Sequence, residues 1–93
     1  MQRATIFVRG SVQGVGFRWW TRARALELGL AGHARNMGDG RVEIVAQGEP
    51  TAIAALEALL REHPTTTRRP GHVMGVVVQH GGPKGGISGF VER

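Results

Sequence analysis

The sequence predicts an α+β fold in which one antiparallel sheet is covered on one face by two helices. Two observations predict it. The chain has 93 residues, which is enough for one small core. Its patterned segments follow the order strand, helix, strand, strand, helix, strand, with a short fifth strand at the end. That order in so short a chain is typical of the ferredoxin-like, or split β-α-β, arrangement, so we treat residues 1–93 as one domain.

The first half of the chain predicts a strand, a helix and a hairpin. Residues 3–9 alternate around a β-branched and aromatic centre, which indicates the first strand. Large or apolar residues recur at spacings of three and four over residues 17–28, and Gly29 is placed to end this amphipathic helix. Residues 32–36 and 41–47 predict the next two strands, and the Asp-Gly pair between them indicates a hairpin turn.

The second half predicts a helix and two more strands. Pro50 stands at the first position of the helix, whose buried stripe contains leucines and Ile53, and Pro64 is predicted to end it. Residues 72–79 are rich in valine and predict the fourth strand. A glycine-rich turn then leads to the short final strand, predicted over residues 87–91.

Composition excludes several classes of function. The chain has no cysteine, which excludes disulfides, a thiol nucleophile and cysteine-ligated metals. Its four histidines lack the close spacing of metal ligands, so we expect no metal. The apolar run of residues 4–8 is too short for a signal peptide or a membrane span, so we expect a cytoplasmic protein without membrane contact. The net charge of +5 favours anionic partners.

The stretch from Gly10 to Trp20, which reads G-S-V-Q-G-V-G-F-R-W-W, predicts an anion-binding loop. Glycines let successive backbone N–H groups turn inward, and the helix that follows points the positive end of its dipole at the same place. Arg18 falls in the first helical turn, where an arginine gains nothing from the dipole. We therefore expect it to bind a phosphate or a carboxylate, although a solvated helix residue is the simpler alternative.

Asn36 is predicted to lie at the same end of the sheet as this loop. If the first strand runs upward into the loop, the first helix runs down and the second strand runs up again to end at Asn36. Ala34 is two residues earlier and shares its face of the strand, so a buried Ala34 would direct Asn36 toward the loop. The alternative is that Asn36 only serves the hairpin turn that follows it.

Two motifs in this order closely resemble those of the acylphosphatase family. The stretch from Gly10 to Arg18 matches the family's first signature without a gap, and the stretch from Gly32 through Asn36 to the Asp-Gly turn matches the second. Two residues depart from the family pattern: His33 stands where an aromatic residue is usual, and Ala34 where valine is usual. The resemblance runs over nearly the full length of the chain and implies the ferredoxin-like fold.

The resemblance implies hydrolysis of an acyl phosphate to a carboxylate and inorganic phosphate, with no metal or organic cofactor. It implies that the loop binds the phosphate, or a sulfate-like anion, through backbone N–H groups, that Arg18 holds it, and that Asn36 orients the attacking water. A monomer is also expected. The residues of the implied substrate-binding loop are Ser11, Val12, Gln13, Gly14, Val15, Gly16 and Phe17.

Three other functions fit the sequence less well. A nucleic-acid-binding module would need aromatic residues on the open face of the central strands, but the third strand has none, so we expect no nucleic-acid partner. A P-loop nucleotide hydrolase would need a G-K-[ST] sequence after the glycines, which is missing. A regulatory domain without catalysis would not need both Arg18 and Asn36.

Two further groups are predicted to lie near the loop. The segment after the second helix belongs at the same end of the sheet, so Arg68 and Arg69 are expected to widen a positive funnel for anionic substrates. The final strand is predicted to run upward, which would bring Glu92 and the Arg93 carboxylate close to Arg18. This terminal carboxylate would then orient the guanidinium by a charge-assisted contact.

Overall fold

The computed structural model describes residues 1–93 and contains two α-helices and five β-strands. Neither helix is long and apolar enough to cross a membrane. The elements in chain order are β1 (Gln2–Ser11), α1 (Phe17–Glu27), β2 (Ala31–Asn36), β3 (Val42–Gly48), α2 (Pro50–Arg61), β4 (His72–Gly81) and β5 (Phe90–Glu92).

The sheet has the strand order β4-β1-β3-β2-β5, which confirms the ferredoxin-like prediction. Neighbouring strands are antiparallel except at one edge, where β5 runs parallel to β2. The sheet is therefore mixed, and the prediction of a wholly antiparallel sheet is wrong there. With β1 running upward, β4 runs down at one edge. The chain must then rise again at the opposite edge, in the direction of β2.

The connection between β4 and β5 explains why the last strand starts later than predicted. The side chain of Gln47 exchanges two 2.8 Å hydrogen bonds with the main chain of Lys84, which holds this connection to the lower end of the sheet. Gly89 then adopts a left-handed φ of 70°, and regular pairing with β2 begins only at Phe90. The predicted strand over residues 87–91 is thus replaced by a bend followed by three paired residues.

The core lies between the sheet and the two helices. Alternate residues of β1 and β3 face the helices, as the period of two along each strand requires. Helix α1 contributes Phe17, Trp20, Thr21 and Ala25, which agrees with the predicted stripe. The buried residues of the three central strands on this face are Ala4, Ile6, Val8, Ala34, Val42, Ile44 and Ala46.

Helix α1 ends at a glycine, as predicted. Gly29 has a φ of 72°, its N–H donates to the Leu26 carbonyl at 3.1 Å, and the Leu30 N–H donates to the Ala25 carbonyl at 2.9 Å. This pair of bonds is a Schellman motif, and Leu30 folds back into the core, where it is 3% exposed. The sequence signal at this position therefore fixes both the end of α1 and the start of the path into β2.

Helix α2 begins at Pro50 as predicted but ends at Arg61, before Pro64. Glu62 is already extended, with φ −56° and ψ 137°. The guanidinium of Arg69 donates hydrogen bonds to the carbonyl oxygens of Leu59 at 2.6 Å and Glu62 at 2.9 Å. These carbonyls are among the groups that a helix end leaves without partners, so Arg69 caps the helix from outside it.

Replacing Gly32 by alanine should destabilise the fold by about 2–4 kcal/mol. Gly32 has a φ of 145°, and a Cβ there would overlap the carbonyl group of Val45 on the neighbouring strand. Gly38 is the matched control, because a Cβ there would meet no atom within 4 Å and its φ is not in the left-handed region. Urea unfolding of Gly32→Ala and Gly38→Ala measures the difference, and equal midpoints for the two variants would contradict it.

Candidate active site

The loop between β1 and α1 is shaped by glycines and by an irregularity in β1. The pairing of β1 with β4 shifts between Arg9 and Gly10, which marks a bulge just before the loop. Gly14 and Gly16 then adopt left-handed φ values of 72° and 90°. Alternation of left-handed and right-handed residues turns successive N–H groups toward one centre. The loop itself is therefore shorter than predicted: Gly10 and Ser11, which were expected to belong to it, are the last two residues of β1 and pair with β4.

Main-chain N–H groups of this loop have no acceptor within the protein. The first hydrogen bond of α1 runs from the Trp20 N–H to the Gly16 carbonyl at 3.0 Å, and none of the N–H groups of residues 13–19 donates to a protein atom. The helix start has neither a side-chain cap nor an acidic residue in its first turn. This row of donors lies at the positive end of the α1 dipole, an arrangement suited to an anion.

Arg18 is held beside this row by the end of β5. Its Nη1 donates to the main-chain oxygen of Arg93, and the Arg93 N–H donates to the Ala34 carbonyl at 2.8 Å. The predicted approach of Arg93 to Arg18 is therefore found. The guanidinium is fixed by one oxygen, and its remaining N–H groups make no other hydrogen bond within the protein.

Asn36 is the last residue of β2, at the same end of the sheet. Ala34 is completely buried under the helices and Asn36 is exposed, as the sequence predicts for two residues on one face at the rim of the core. The Nε2 of Gln13 donates to the carbonyls of Met37 at 2.8 Å and Arg41 at 3.0 Å. The loop is thus bonded directly to the residue that follows Asn36.

The other predicted loop residues differ in what their side chains do. Val12 and Phe17 are buried in the core, so only their main chain is available to a substrate. Ser11 belongs to β1, where it pairs with His72, and Val15 is 43% exposed. Neither Arg18 nor Asn36 lines any of the three surface clefts. The candidate phosphate site is therefore an open cradle of main-chain groups.

The segment after α2 lies at this end of the sheet, as predicted, but only one of its two arginines can act as predicted. The Trp20 Nε1 donates to the Thr67 carbonyl at 3.1 Å, which joins the segment to α1. Arg68 is exposed. Arg69 is wrongly assigned to a positive funnel, because its guanidinium donates to the carbonyl oxygens at the end of α2 and is engaged there.

His33, which departs from the family pattern, faces away from the site. Its Nε2 lies 3.2 Å from an oxygen of Glu43, and the Nε of Arg35 donates to the same carboxylate at 2.7 Å. The hydrogen bond from Arg35, with that from His33, lowers the pKa of Glu43. These side chains cover the sheet face opposite the helices, whereas Ala34 packs under the helices. The departure from the family pattern at His33 therefore affects only the sheet face opposite the helices. On the helix-covered face, the residue that packs next to Asn36 along β2 is Ala34.

Comparison with known proteins identifies the family to which this site belongs. The family model described as Acylphosphatase matches residues 4–92. The chain belongs to the acylphosphatase family. A relative from Thermobifida fusca (strain YX), named Acylphosphatase, is 57% identical over 91 residues, which cover 98% of this chain and 96% of that protein. A relative of the same name from Rhodococcus jostii (strain RHA1) is 54% identical over 93 residues and covers 100% of both chains.

A solved structure agrees with this membership of the acylphosphatase family. The crystal structure of acylphosphatase from Bacillus subtilis matches with a TM-score of 0.85 at 30% sequence identity, and covers 100% of this chain and 99% of that chain. The resemblance inferred from the two motifs is therefore confirmed for both family and fold.

In this acylphosphatase-family chain, sequence reasoning missed what the Gln13 side chain does. The motif predicted Gln13 as a loop residue, but its bonds to residues 24 and 28 positions away depend on how the β2–β3 hairpin sits against the loop. Reasoning also missed the approach of His63 to His72, whose ring centroids are 6.2 Å apart. No periodicity or short spacing in the sequence signals either contact.

Replacing Gln13 by alanine should loosen the loop relative to Asn36. Two hydrogen bonds are lost, and the Met37 and Arg41 carbonyls lose a partner, so we expect about 1–2 kcal/mol less stability and weaker binding of inorganic phosphate. Urea unfolding and phosphate titration followed by NMR of the loop amides measure these effects. Gln79→Ala, on the exposed face of β4, is the matched control. Wild-type stability and phosphate affinity in Gln13→Ala would contradict the role of this side chain.

Proposed function

We propose that this chain hydrolyses the carboxyl–phosphate bond of acyl phosphates to give a carboxylate and inorganic phosphate. Its membership of the acylphosphatase family supports the reaction. The observation that carries the assignment to this site is the row of N–H groups from Gln13 to Trp19, which lack protein acceptors and lie beside Arg18. A tetrahedral dianion with several acceptor oxygens suits such a row of donors.

In this proposal the loop from Ser11 to Phe17 binds the phosphate through its main chain, and Arg18 neutralises charge on it. A phosphoryl group that passes through a loose transition state needs charge stabilisation and an aligned nucleophile more than covalent assistance. Donors that are already oriented supply this stabilisation without reorganisation during the reaction. The contact with the Arg93 oxygen keeps the Arg18 guanidinium in place before substrate arrives.

Asn36 is proposed to orient the attacking water. Its side chain makes no hydrogen bond within the protein and lies at the end of β2, beside the hairpin to which Gln13 ties the loop. An amide can accept one hydrogen bond and donate another, so it can align a water molecule without removing its proton. Loop and strand end would thus fix the phosphate and the water separately.

Proton transfer in this mechanism needs no protein acid or base. The leaving carboxylate has a conjugate acid with a pKa of about 4, so it departs without protonation. A guanidinium cannot act as a base at neutral pH and an amide takes up no proton, so we assign the proton of the water to a phosphate oxygen of the substrate. A bell-shaped pH–rate profile with both limbs assigned to protein groups would contradict this assignment.

The alternative of a nucleic-acid-binding module has less support. The central strands β1 and β3 carry a single aromatic side chain, Phe7. The guanidinium carbon of Arg41 lies 5.0 Å from the centroid of the Phe7 ring. Recognition of RNA on such a sheet relies on aromatic rings on which bases can stack, and here the one ring is already in contact with a cation.

Substitution of Arg18 and Asn36 tests the proposal. Arg18→Gln should lower kcat/KM for benzoyl phosphate by about 10²–10³-fold, because a charged donor to the transition state is lost. Asn36→Ala should lower kcat by about 10²-fold or more with little change in KM, because it removes orientation of the water and leaves phosphate binding intact. Phosphate release in the presence of a metal chelator is the measurement.

Arg22→Gln is the matched control for Arg18→Gln. Arg22 lies one turn later on α1 and donates to the Phe90 carbonyl at 3.1 Å, so it also bonds to β5 but lies outside the loop. It should keep near-wild-type turnover. Equal turnover by wild type, Arg18→Gln and Asn36→Ala, with all three folded by circular dichroism, would reject the proposed site.

A further inference from the structure

We propose that a cleft beside the phosphate loop binds the acyl group of the substrate and favours aromatic or other bulky apolar acyl groups over acetyl. This proposal rests on the function proposed above and adds a substrate class to it. The acyl cleft, as we call it, has a volume of about 300 Å³ and lies between α1 and the segment before β4. Its lining includes Val15, Gly16, Trp19, Ala23, Thr67 and Pro70.

The acyl cleft is continuous with the proposed phosphate site. Val15, Gly16 and Trp19 line it, and the N–H groups of the same three residues belong to the row that has no protein acceptor. In an acyl phosphate a single oxygen joins the carbonyl carbon to phosphorus, so the acyl group must lie directly beside the phosphate. The other two clefts are lined by no residue of this loop.

Two adjacent tryptophans give the acyl cleft an apolar wall. Trp20 is buried, stacks on Phe17 with ring centroids 5.7 Å apart, and is fixed by its bond to Thr67. Trp19 is 64% exposed, and its indole N–H makes no hydrogen bond within the protein. Core packing therefore explains Trp20 but not Trp19. A large aromatic side chain at the rim of an apolar cleft is typical of a ligand-binding surface.

The opposite wall of the acyl cleft is also held in place. Gly71 packs so closely on the Ser11 carbonyl that a Cβ would overlap it, and the Trp20–Thr67 bond fixes the segment at its other side. Between them Arg68 adopts a left-handed φ of 55°, which is uncommon for a residue with a side chain. A residue is held in this unfavourable backbone conformation only where the surrounding structure enforces it. The cleft is therefore already formed before a ligand binds.

The size and lining of the acyl cleft determine which acyl groups bind more tightly because of it. About 300 Å³ is enough for a phenyl ring, and ring stacking on Trp19 adds to the burial of apolar area. An acetyl group offers only one methyl group to this apolar wall, so it gains less from burial in the cleft than a phenyl ring does. Arg68 also lines the cleft, and its positive charge attracts the dianionic phosphate of either substrate without distinguishing between them.

Kinetics with benzoyl phosphate and acetyl phosphate test the proposal. The ratio of their kcat/KM values should fall about three- to tenfold in Trp19→Ala, mainly through a higher KM for benzoyl phosphate, and should recover in Trp19→Phe. Ala23→Leu, which fills the cleft from a half-buried position on α1, should lower the same ratio. Met74→Ala, which truncates a side chain of matching exposure (63%) on β4, should leave the ratio unchanged.

Three results separate this proposal from the function on which it rests. An unchanged ratio in both Trp19→Ala and Ala23→Leu, with wild-type turnover of both substrates, would overturn the acyl cleft and leave the proposed function intact. Equal losses for the two substrates in Trp19→Ala would show that Trp19 acts only through the phosphate loop, and would also overturn it. No turnover of either substrate by the wild-type protein would reject the proposed function itself.

Discussion

A row of main-chain donors without acceptors, at the junction of β1 and α1, is the feature on which the rest of this structure depends. These donors are concentrated at the positive end of a helix dipole, which is an arrangement suited to an anion. The left-handed glycines of the loop make that arrangement possible at little steric cost. Gln13 then holds the loop from one side, and β5 holds Arg18 from the other.

The ferredoxin-like topology brings the required groups to one end of the sheet. β1, β2 and β5 all run toward that end, and the segment after α2 returns to it before β4 begins. Residues from four separate parts of a 93-residue chain therefore meet there, although the core itself contains none of the candidate catalytic side chains. The core fixes the directions of the elements, and the segments at their ends carry the candidate catalytic groups.

The pair Trp19 and Trp20 combines a contact that stabilises the fold with a proposed contact to substrate. Consecutive residues on a helix point about 100° apart, so Trp20 enters the core while Trp19 remains at the surface. The buried ring of Trp20 anchors α1 to the segment before β4 through its hydrogen bond to Thr67. The exposed ring of Trp19 lines the proposed acyl cleft between α1 and that segment. Substrate preference, in this view, depends on a contact that also stabilises the fold.

The sequence by itself determined the order of the elements, the amphipathic stripe of α1, its end at Gly29, and the return of Asn36 to the level of the glycine loop. These follow from periodicity and turn chemistry, which act between residues a few positions apart. Tertiary structure decided the parallel pairing of β5, the capping role of Arg69, the two bonds of Gln13 and the cleft beside Trp19. These features depend on contacts between residues separated by 7 to 58 positions, and no local pattern specifies such contacts because they form only when the elements pack.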